Sequence, residues 1–181
     1  MSEISFSGLP TPENSASWLS PEELEFVRNK MPVLYVDIVP VKLDPHGELT
    51  AVGLLLCSDG DVLQRTIPRG RVLMNESILE ALLRHIQKDL GPMALPQLPV
   101  SALPFTIGEY FPTPGEHLYD PRQHAVSLAY IVPMAGDCAP NSNAIEFSWF
   151  TPGEIRSESL QAEICKSQGA ILKRAMAYLG N

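Results

Sequence analysis

The chain has 181 residues, enough for one domain with a sizeable core, and its 45% hydrophobic and 19% charged residues are typical of a folded globular protein. Thirteen lysines and arginines against 21 aspartates and glutamates give a net charge of −8, which excludes a sequence-independent binder of nucleic-acid backbones. No apolar run is long enough to cross a membrane, and the first residues lack the basic and apolar regions of a secretory signal. The three scattered cysteines show no C-x-x-C spacing, so we expect a reduced, cytoplasmic protein without disulfides.

The amino-terminal part of the chain changes character near residue 18. Residues 1–17 are rich in serine and proline, so we predict a mobile arm there, followed by a single domain over residues 18–181. Ser20 and Glu23 have the spacing of a capping box, in which each side chain accepts from the other residue's backbone N–H. We therefore predict an amino-terminal helix over residues 20–30.

Strand-like segments and turn residues follow in alternation. Six apolar runs are typical of strands: Val33–Val41, Ala51–Cys57, Val62–Ile67, Thr106–Phe111, Ala125–Val132 and Ile145–Phe150. Residues 68–70, with a proline and a glycine, are expected to break the third strand. A long polar loop is predicted over residues 112–124, and loops of that length in a domain are often functional.

Two segments have helical periodicity. From about Asn75 to Leu90, apolar residues recur at three- and four-residue spacing, and Gly91 followed by a proline ends the predicted helix. Apolar residues from Leu160 to Leu179 also recur at helical intervals, so we predict a terminal helix. Strands mixed with these helices predict an α/β or α+β fold.

The segment from residue 70 to residue 91 reads GRVLMNESILEALLRHIQKDLG. It resembles the signature box of the Nudix hydrolases, which is a glycine, five residues, a glutamate, seven residues and then Arg-Glu-apolar-x-Glu-Glu-x-Gly. Five residues occupy their family positions without a gap: Gly70, Glu76, Arg84, Ile86 and Gly91. The resemblance implies a Nudix-type α/β/α sandwich of mixed sheet and helices, here with an extra N-terminal helix. It also implies a small-molecule partner, a nucleoside diphosphate linked to another moiety or a related phosphorylated compound.

The chemistry of the box departs from the family at three positions. The glutamate expected after Arg84 is His85, and the paired glutamates are Lys88 and Asp89. Magnesium prefers several oxygen ligands, and one of the three carboxylates remains on this helical face. A lysine about 5 Å from a divalent ion would repel it by nearly 2 kcal/mol even at the dielectric constant of water. We therefore do not expect a standard multi-magnesium centre.

The box is closest in pattern to that of the GDP-mannose mannosyl hydrolases, which opens with Gly-Arg-Val and also lacks the glutamate after the arginine. On that analogy Asp89, the backbone carbonyl of Arg69 and Asn143 would hold one Mg²⁺ or Mn²⁺ ion. The histidine that acts as base in that branch would fall near Ala144, which cannot take a proton. Two functions stay open: an atypical or weak divalent-metal-dependent hydrolase, or a catalytically inactive Nudix-fold binding or regulatory module, with no ion.

Further residues are candidates for the site. The candidate bases are His117, Glu116 and His85, and His85 is also a candidate metal ligand. The candidate substrate contacts are Arg69, Arg71 and Arg122 for phosphate and Tyr119 for stacking on a base or sugar. Gly70, Glu76 and Arg84 would support the site, with Arg84 ordering Glu76 at the junction of loop and helix. Each of these features also has a purely structural interpretation. Glu76 would favour the helix dipole from the first turn, Glu80 and Arg84 would pair on the helix surface, and the polar loop would only be solvated. A homodimer also stays open.

Overall fold

A computed structural model of the chain describes residues 19–60, 62–115, 118–140 and 144–180. The arm predicted over residues 1–17 lies outside these residues. The helices are α1 (Pro21–Arg28), α2 (Ile78–Leu90), α3 (Pro152–Ile155), α4 (Glu158–Glu163) and α5 (Lys166–Tyr178). The strands are β1 (Val33–Leu43), β2 (Leu49–Asp59), β3 (Val62–Thr66), β4 (Arg69–Arg71), β5 (Thr106–Phe111), β6 (Leu118–Tyr119), β7 (Ala125–Pro133) and β8 (Glu146–Phe150).

All eight of these strands belong to one mixed sheet, in the order β3-β2-β1-β7-β5-β6. β1 is central and runs parallel to β7 along its length, from Val33 opposite Ala125 to Val41 opposite Pro133. On its other edge β1 pairs antiparallel with β4 through its first half and with β2 near its end. β8 adds to β2, also antiparallel. The mixed sheet expected from the sequence is therefore confirmed.

The sheet is covered on both faces, and the alternation of side chains along β1 shows how. Successive residues of a strand point to opposite faces, and β1 is buried on both. Val39 and Val41 pack with α5 in one core, whereas Val36 and Ile38 pack with α2 in the other. This is the predicted sandwich of mixed sheet between helices.

Helix α1 is the predicted amino-terminal helix. Ser20 accepts from the Glu23 N–H, and Glu23 accepts from the Ser20 N–H, which confirms the capping box. Val27 packs against a small core cluster at the start of β1 and β7, so the helix is docked on the domain. Within the described residues, no helix is both long enough and apolar enough to span a membrane.

The break after the third strand is confirmed, whereas the predicted start of the box helix was wrong. β3 ends at Thr66, as the break predicted at residues 68–70 indicates, and the chain then pairs with a different strand, as β4 along β1 with Gly70 opposite Val36. Helix α2 begins at Ile78 and not near Asn75, because Asn75 has φ 61° and Ser77 forms a capping box with Glu80. Glu76 consequently lies in the loop before the helix and not in its first turn.

The tail forms three helices and not one. Thr151 and Ser157 cap α3 and α4, and each of these helices ends within six residues. Ile164 is extended, and the Cys165 N–H donates to the Arg65 carbonyl at 3.0 Å, so the chain pairs briefly with β3. This pairing separates α4 from α5.

Candidate functional site

A cleft of about 830 Å³ opens at one end of the sheet. It lies between the ends of β2 and β3, the carboxyl-terminal end of α2, the segment around β6 and the start of α5. Among the described residues, its charged and amide-bearing lining side chains are Gln64, Arg69, Lys88, Asp89, Asp120, Arg122, Lys166 and Gln168. Four of these carry a positive and two a negative charge, whereas the whole chain has a net charge of −8. The described lining therefore favours an anionic ligand.

The loop that leads into α2 is held by a buried ion pair. Arg84 Nε lies 2.6 Å from Glu76 Oε1, with both side chains at least nine-tenths buried. Glu76 also accepts from the Leu73 N–H at 2.8 Å, and Arg84 donates to the Arg71 carbonyl at 2.9 Å. The Arg84 guanidinium and these hydrogen bonds hold the pKa of Glu76 below its usual range, although burial opposes them. The structure thus contains the predicted Arg84–Glu76 pair, and the surface pair with Glu80 is absent because Glu80 caps the helix.

His85 fills the space behind this loop. The residue is 4% exposed, and its ring packs against the backbone at Gly70, where an added Cβ would overlap the imidazole. Its Nε2 lies 3.0 Å from the Arg71 carbonyl, so this nitrogen carries the proton. Burial lowers the pKa of His85 to about 4. His85 does not line the cleft, and the structure gives no support to its predicted role as a base or metal ligand.

Helix α2 presents one carboxylate to the cleft. Asp89 lines it with its side chain 13% exposed, and the Lys88 ammonium lies 3.9 Å from Asp89 Oδ1. Burial raises the pKa of Asp89, which weakens it as an anionic ligand at low pH. Among the described residues, no group of three or more histidine, cysteine, aspartate or glutamate side chains could hold a metal ion. The residues in the described ranges therefore do not fit a multi-magnesium centre.

Arg69 enters the cleft from a buried ionic network. Its Nε lies 3.1 Å from Oδ1 of Asp37, and its guanidinium stacks over the rings of Tyr110 at 3.9 Å and Tyr35 at 4.6 Å. Tyr110 donates to the other oxygen of Asp37 at 3.0 Å. Burial raises the pKa of Asp37, and the Arg69 charge opposes that rise. The Arg69 side chain, 11% exposed, is held in place mainly by protein groups.

Asp120 extends this network to the rim of the cleft. Its carboxylate lies 3.9 Å from Arg69 and accepts two hydrogen bonds from the Arg122 side chain, at 2.9 and 3.0 Å. Gln123 donates to Asp120 and to the Tyr35 hydroxyl, and it accepts from Arg28 of α1 at 2.9 Å. The amino-terminal helix thus supports the rim through Gln123.

The structure brings part of the predicted site together. Asp89, Arg69, Arg122 and Tyr119 all line the cleft, and Tyr119 is 43% exposed. The other predicted residues that the structure describes belong to the loop and helix beneath the cleft and do not line it. They are Gly70, Glu76, Arg84, His85 and the Arg71 side chain. Glu116, His117 and Asn143 lie outside the described residues.

Several polar residues of this region were not predicted from the sequence. Asp37 lies in an apolar strand, and its charge in such a run was the one available signal. Asp120 and Arg122 share an Asp-Pro-Arg segment, but only Arg122 was a candidate. Lys166 and Gln168 reach the cleft because the tail breaks at residue 164, which helical periodicity did not predict.

Comparison with known proteins places the chain in a family. The family model described as a domain of unknown function (DUF4916) matches residues 14–181. No curated protein is similar enough to count as a match. A crystal structure described as a possible asymmetric diadenosine tetraphosphate (Ap4A) hydrolase from Jonesia denitrificans is 49% identical, with a TM-score of 0.80. The matched region covers 83% of this chain and 96% of that one.

More distant structures share the fold. The Nudix domain of Shewanella oneidensis NrtR, crystallised with ADP-ribose, is 17% identical with a TM-score of 0.61, over 83% of this chain and 90% of that one. A C. elegans Ap4A hydrolase is 13% identical with a TM-score of 0.57, over 82% of this chain and 98% of that one. The chain therefore belongs to the DUF4916 family and has the fold of the Nudix hydrolases.

Proposed function

We propose that this protein recognises a nucleotide derivative through its phosphate groups, in the cleft, and that recognition rather than fast multi-ion hydrolysis is its main activity. The observation that carries the proposal is the described lining, which is rich in positive charge and carries one carboxylate on α2. In a hydrolase of the multi-magnesium type, carboxylates would hold the ions that neutralise the phosphates. Here Lys88, Arg122 and Lys166 supply the neutralising charge directly.

The dimensions of the cleft support this ligand class. Its volume of about 830 Å³ lies within the range of small-molecule sites. Tyr119 presents an exposed ring at the rim, which suits stacking on a nucleobase. Asp120 orients the Arg122 guanidinium with two hydrogen bonds, which leaves its 64%-exposed side chain at the cleft mouth. The relatives described with ADP-ribose and Ap4A support nucleotide derivatives as the first compounds to test.

Calorimetric titration with ADP-ribose and Ap4A, in EDTA and again with magnesium, tests the proposal. We expect binding in EDTA, with an affinity within about threefold of that with magnesium. Tyr119→Ala should weaken binding by about tenfold, because base stacking contributes about 1–3 kcal/mol. Tyr178→Ala is the matched control, since this tyrosine is 69% exposed and lies outside the cleft. Absence of binding without magnesium would refute the proposal.

Slow hydrolysis with one ion is the second candidate function, and the name of the 49%-identical protein favours it. Asp89, the Arg69 carbonyl and Asn143 are the proposed ligands, and the analogy with GDP-mannose hydrolases adds nucleotide sugars to the substrates to test. Phosphate release from ADP-ribose, nucleotide sugars and dinucleoside polyphosphates with Mg²⁺ or Mn²⁺ would reveal it. Asp89→Asn should abolish any turnover, whereas Asp137→Asn, an exposed control, should not. Turnover that survives Asp89→Asn would exclude Asp89 as the ligand.

A further inference from the structure

The amino terminus of α5 opens onto the cleft opposite α2. Cys165, Lys166, Ser167 and Gln168 all line the cleft. The Cys165 thiol lies 3.3 Å from the Ser167 hydroxyl and does not cap a backbone N–H, and the N–H groups of Lys166 and Ser167 have no acceptor within the described ranges. The first N–H groups of a helix and its dipole together attract an anion.

Gln168 adds an independent side-chain donor. Its side chain is buried, with the residue 7% exposed, and its Oε1 accepts from the Ile67 N–H at 2.8 Å. The amide NH₂ group is thereby directed away from Ile67. This Nε2 makes no hydrogen bond to any residue in the described part of the chain, and it is not one of the fully buried atoms that lack a partner. The nitrogen atom is therefore accessible. The amide oxygen of Gln168 is thus held by a hydrogen bond, whereas its NH₂ group is available to donate to a ligand in the cleft.

Lys166 adds a positive charge at this point. Lys166 is exposed and has no ion-pair partner among the residues that the structure describes. The first turn of α5 contains no acidic residue. Two backbone N–H groups, an amide NH₂ and an ammonium are all donors, which matches a phosphate group, whose oxygens are acceptors.

We propose that the amino terminus of α5, with Gln168 and Lys166, is the subsite for one phosphate group of the ligand. This inference rests on the proposed function for the nucleotide part of the ligand, but the subsite itself requires only a phosphate. It places that one phosphate group at the start of α5 and not at the box helix α2. A nucleotide derivative would then lie along the cleft with its base toward Tyr119.

Three substitutions test the subsite. Lys166→Met removes the charge and keeps the N–H, whereas Lys166→Pro removes both. Proline is tolerated at this first helical position, and Cys165, at φ −54° and ψ 122°, has the conformation that a residue before proline prefers. Gln168→Glu keeps the acceptor for the Ile67 N–H and replaces the free donor with a carboxylate oxygen. Lys173→Met is the matched control, because Lys173 is exposed on the same helix but does not line the cleft.

The probes are inorganic pyrophosphate and ADP-ribose, titrated into the full chain by calorimetry in EDTA. We expect Lys166→Met to raise the pyrophosphate Kd about threefold, and Lys166→Pro to raise it further. Gln168→Glu should raise it about tenfold or more, because a charge-assisted hydrogen bond becomes a repulsion. A glutamate in the first turn favours the helix dipole, so a merely structural role predicts an unchanged Kd. If Gln168→Glu does not fold, the two Lys166 variants decide the question.

The outcomes separate this inference from the proposed function. Weakened binding of both probes in the variants, with Lys173→Met unchanged, supports both. ADP-ribose binding that stays within twofold of the wild type in every variant overturns the subsite and leaves the proposed function standing. Pyrophosphate binding that the variants weaken, without any nucleotide binding, supports the subsite and contradicts the proposed function. A wild-type protein that binds neither probe overturns both.

Discussion

Gly70→Ala should destabilise the protein by about 3 kcal/mol, because His85 occupies the space that the new methyl group requires. A Cβ at residue 70 would lie well inside 3.0 Å of three atoms of the His85 ring. His85 is 4% exposed and its ring is hydrogen-bonded to the Arg71 carbonyl, so the ring is held in place beside Gly70. Overpacking of a core costs about 1–3 kcal/mol, and the displaced ring would also lose a hydrogen bond worth about 1 kcal/mol.

A double-mutant cycle measured by urea denaturation isolates this contact. In a His85→Ala background the ring is absent, so Gly70→Ala should cost less than about 1 kcal/mol, which gives a coupling energy of about 2–3 kcal/mol. Gly115→Ala is the control, because a Cβ there meets no atom within 4 Å, and its effect should stay within about 1 kcal/mol. The packing argument would be refuted if the destabilisation of the double mutant equals the sum of the two single-mutant effects, Gly70→Ala and His85→Ala, within about 0.5 kcal/mol.

Further predictions concern the same helix. His85 is neutral in the native state, with a pKa of about 4 against an ordinary 6.5, so the unfolded chain binds more protons between these values. The contribution of His85 to stability should therefore fall by about 3 kcal/mol as the pH drops from 6.5 to 4, measured in urea titrations as the difference in pH dependence between the wild type and His85→Gln. Glu76→Ala should destabilise the protein by about 3 kcal/mol in denaturant melts, because it removes the carboxylate that lies 2.6 Å from the buried Arg84 guanidinium. A smaller loss in Glu76→Ala combined with Arg84→Met would confirm that origin, and an equal or larger loss would contradict it. Lys88→Glu should raise the Mn²⁺ affinity at least tenfold in calorimetry, since it replaces a repulsive charge beside Asp89 with a carboxylate. An unchanged Mn²⁺ affinity would show that Asp89 is not accessible to the ion.

The box segment was predictable because its signals are local. Apolar periodicity and Gly91 define α2 and its end, and the resemblance to the Nudix box implied the contact between Glu76 and Arg84. The start of the helix could also have been read from Ser77 and Glu80, which have capping-box spacing. Local patterns of this kind are sufficient to predict the helices and strands and hence the fold.

The rest of the site depends on contacts between distant segments. Gln168 reaches the cleft because the chain pairs with β3 at residue 164 and because its amide accepts from Ile67. Arg69 is held by Asp37, 32 residues earlier in a different strand, and by two aromatic rings. Periodicity does not report such pairings, so sequence reasoning found Arg69 but not its partners.

The number of Mn²⁺ ions bound in the presence of ADP-ribose tests the central claim most directly. Electron paramagnetic resonance counts free Mn²⁺ at increasing protein concentration and gives this stoichiometry. With one carboxylate on the cleft face of α2, we expect at most one ion per chain, and nucleotide binding that persists in EDTA. Two or more ions per chain, with nucleotide binding that requires them, would contradict the account.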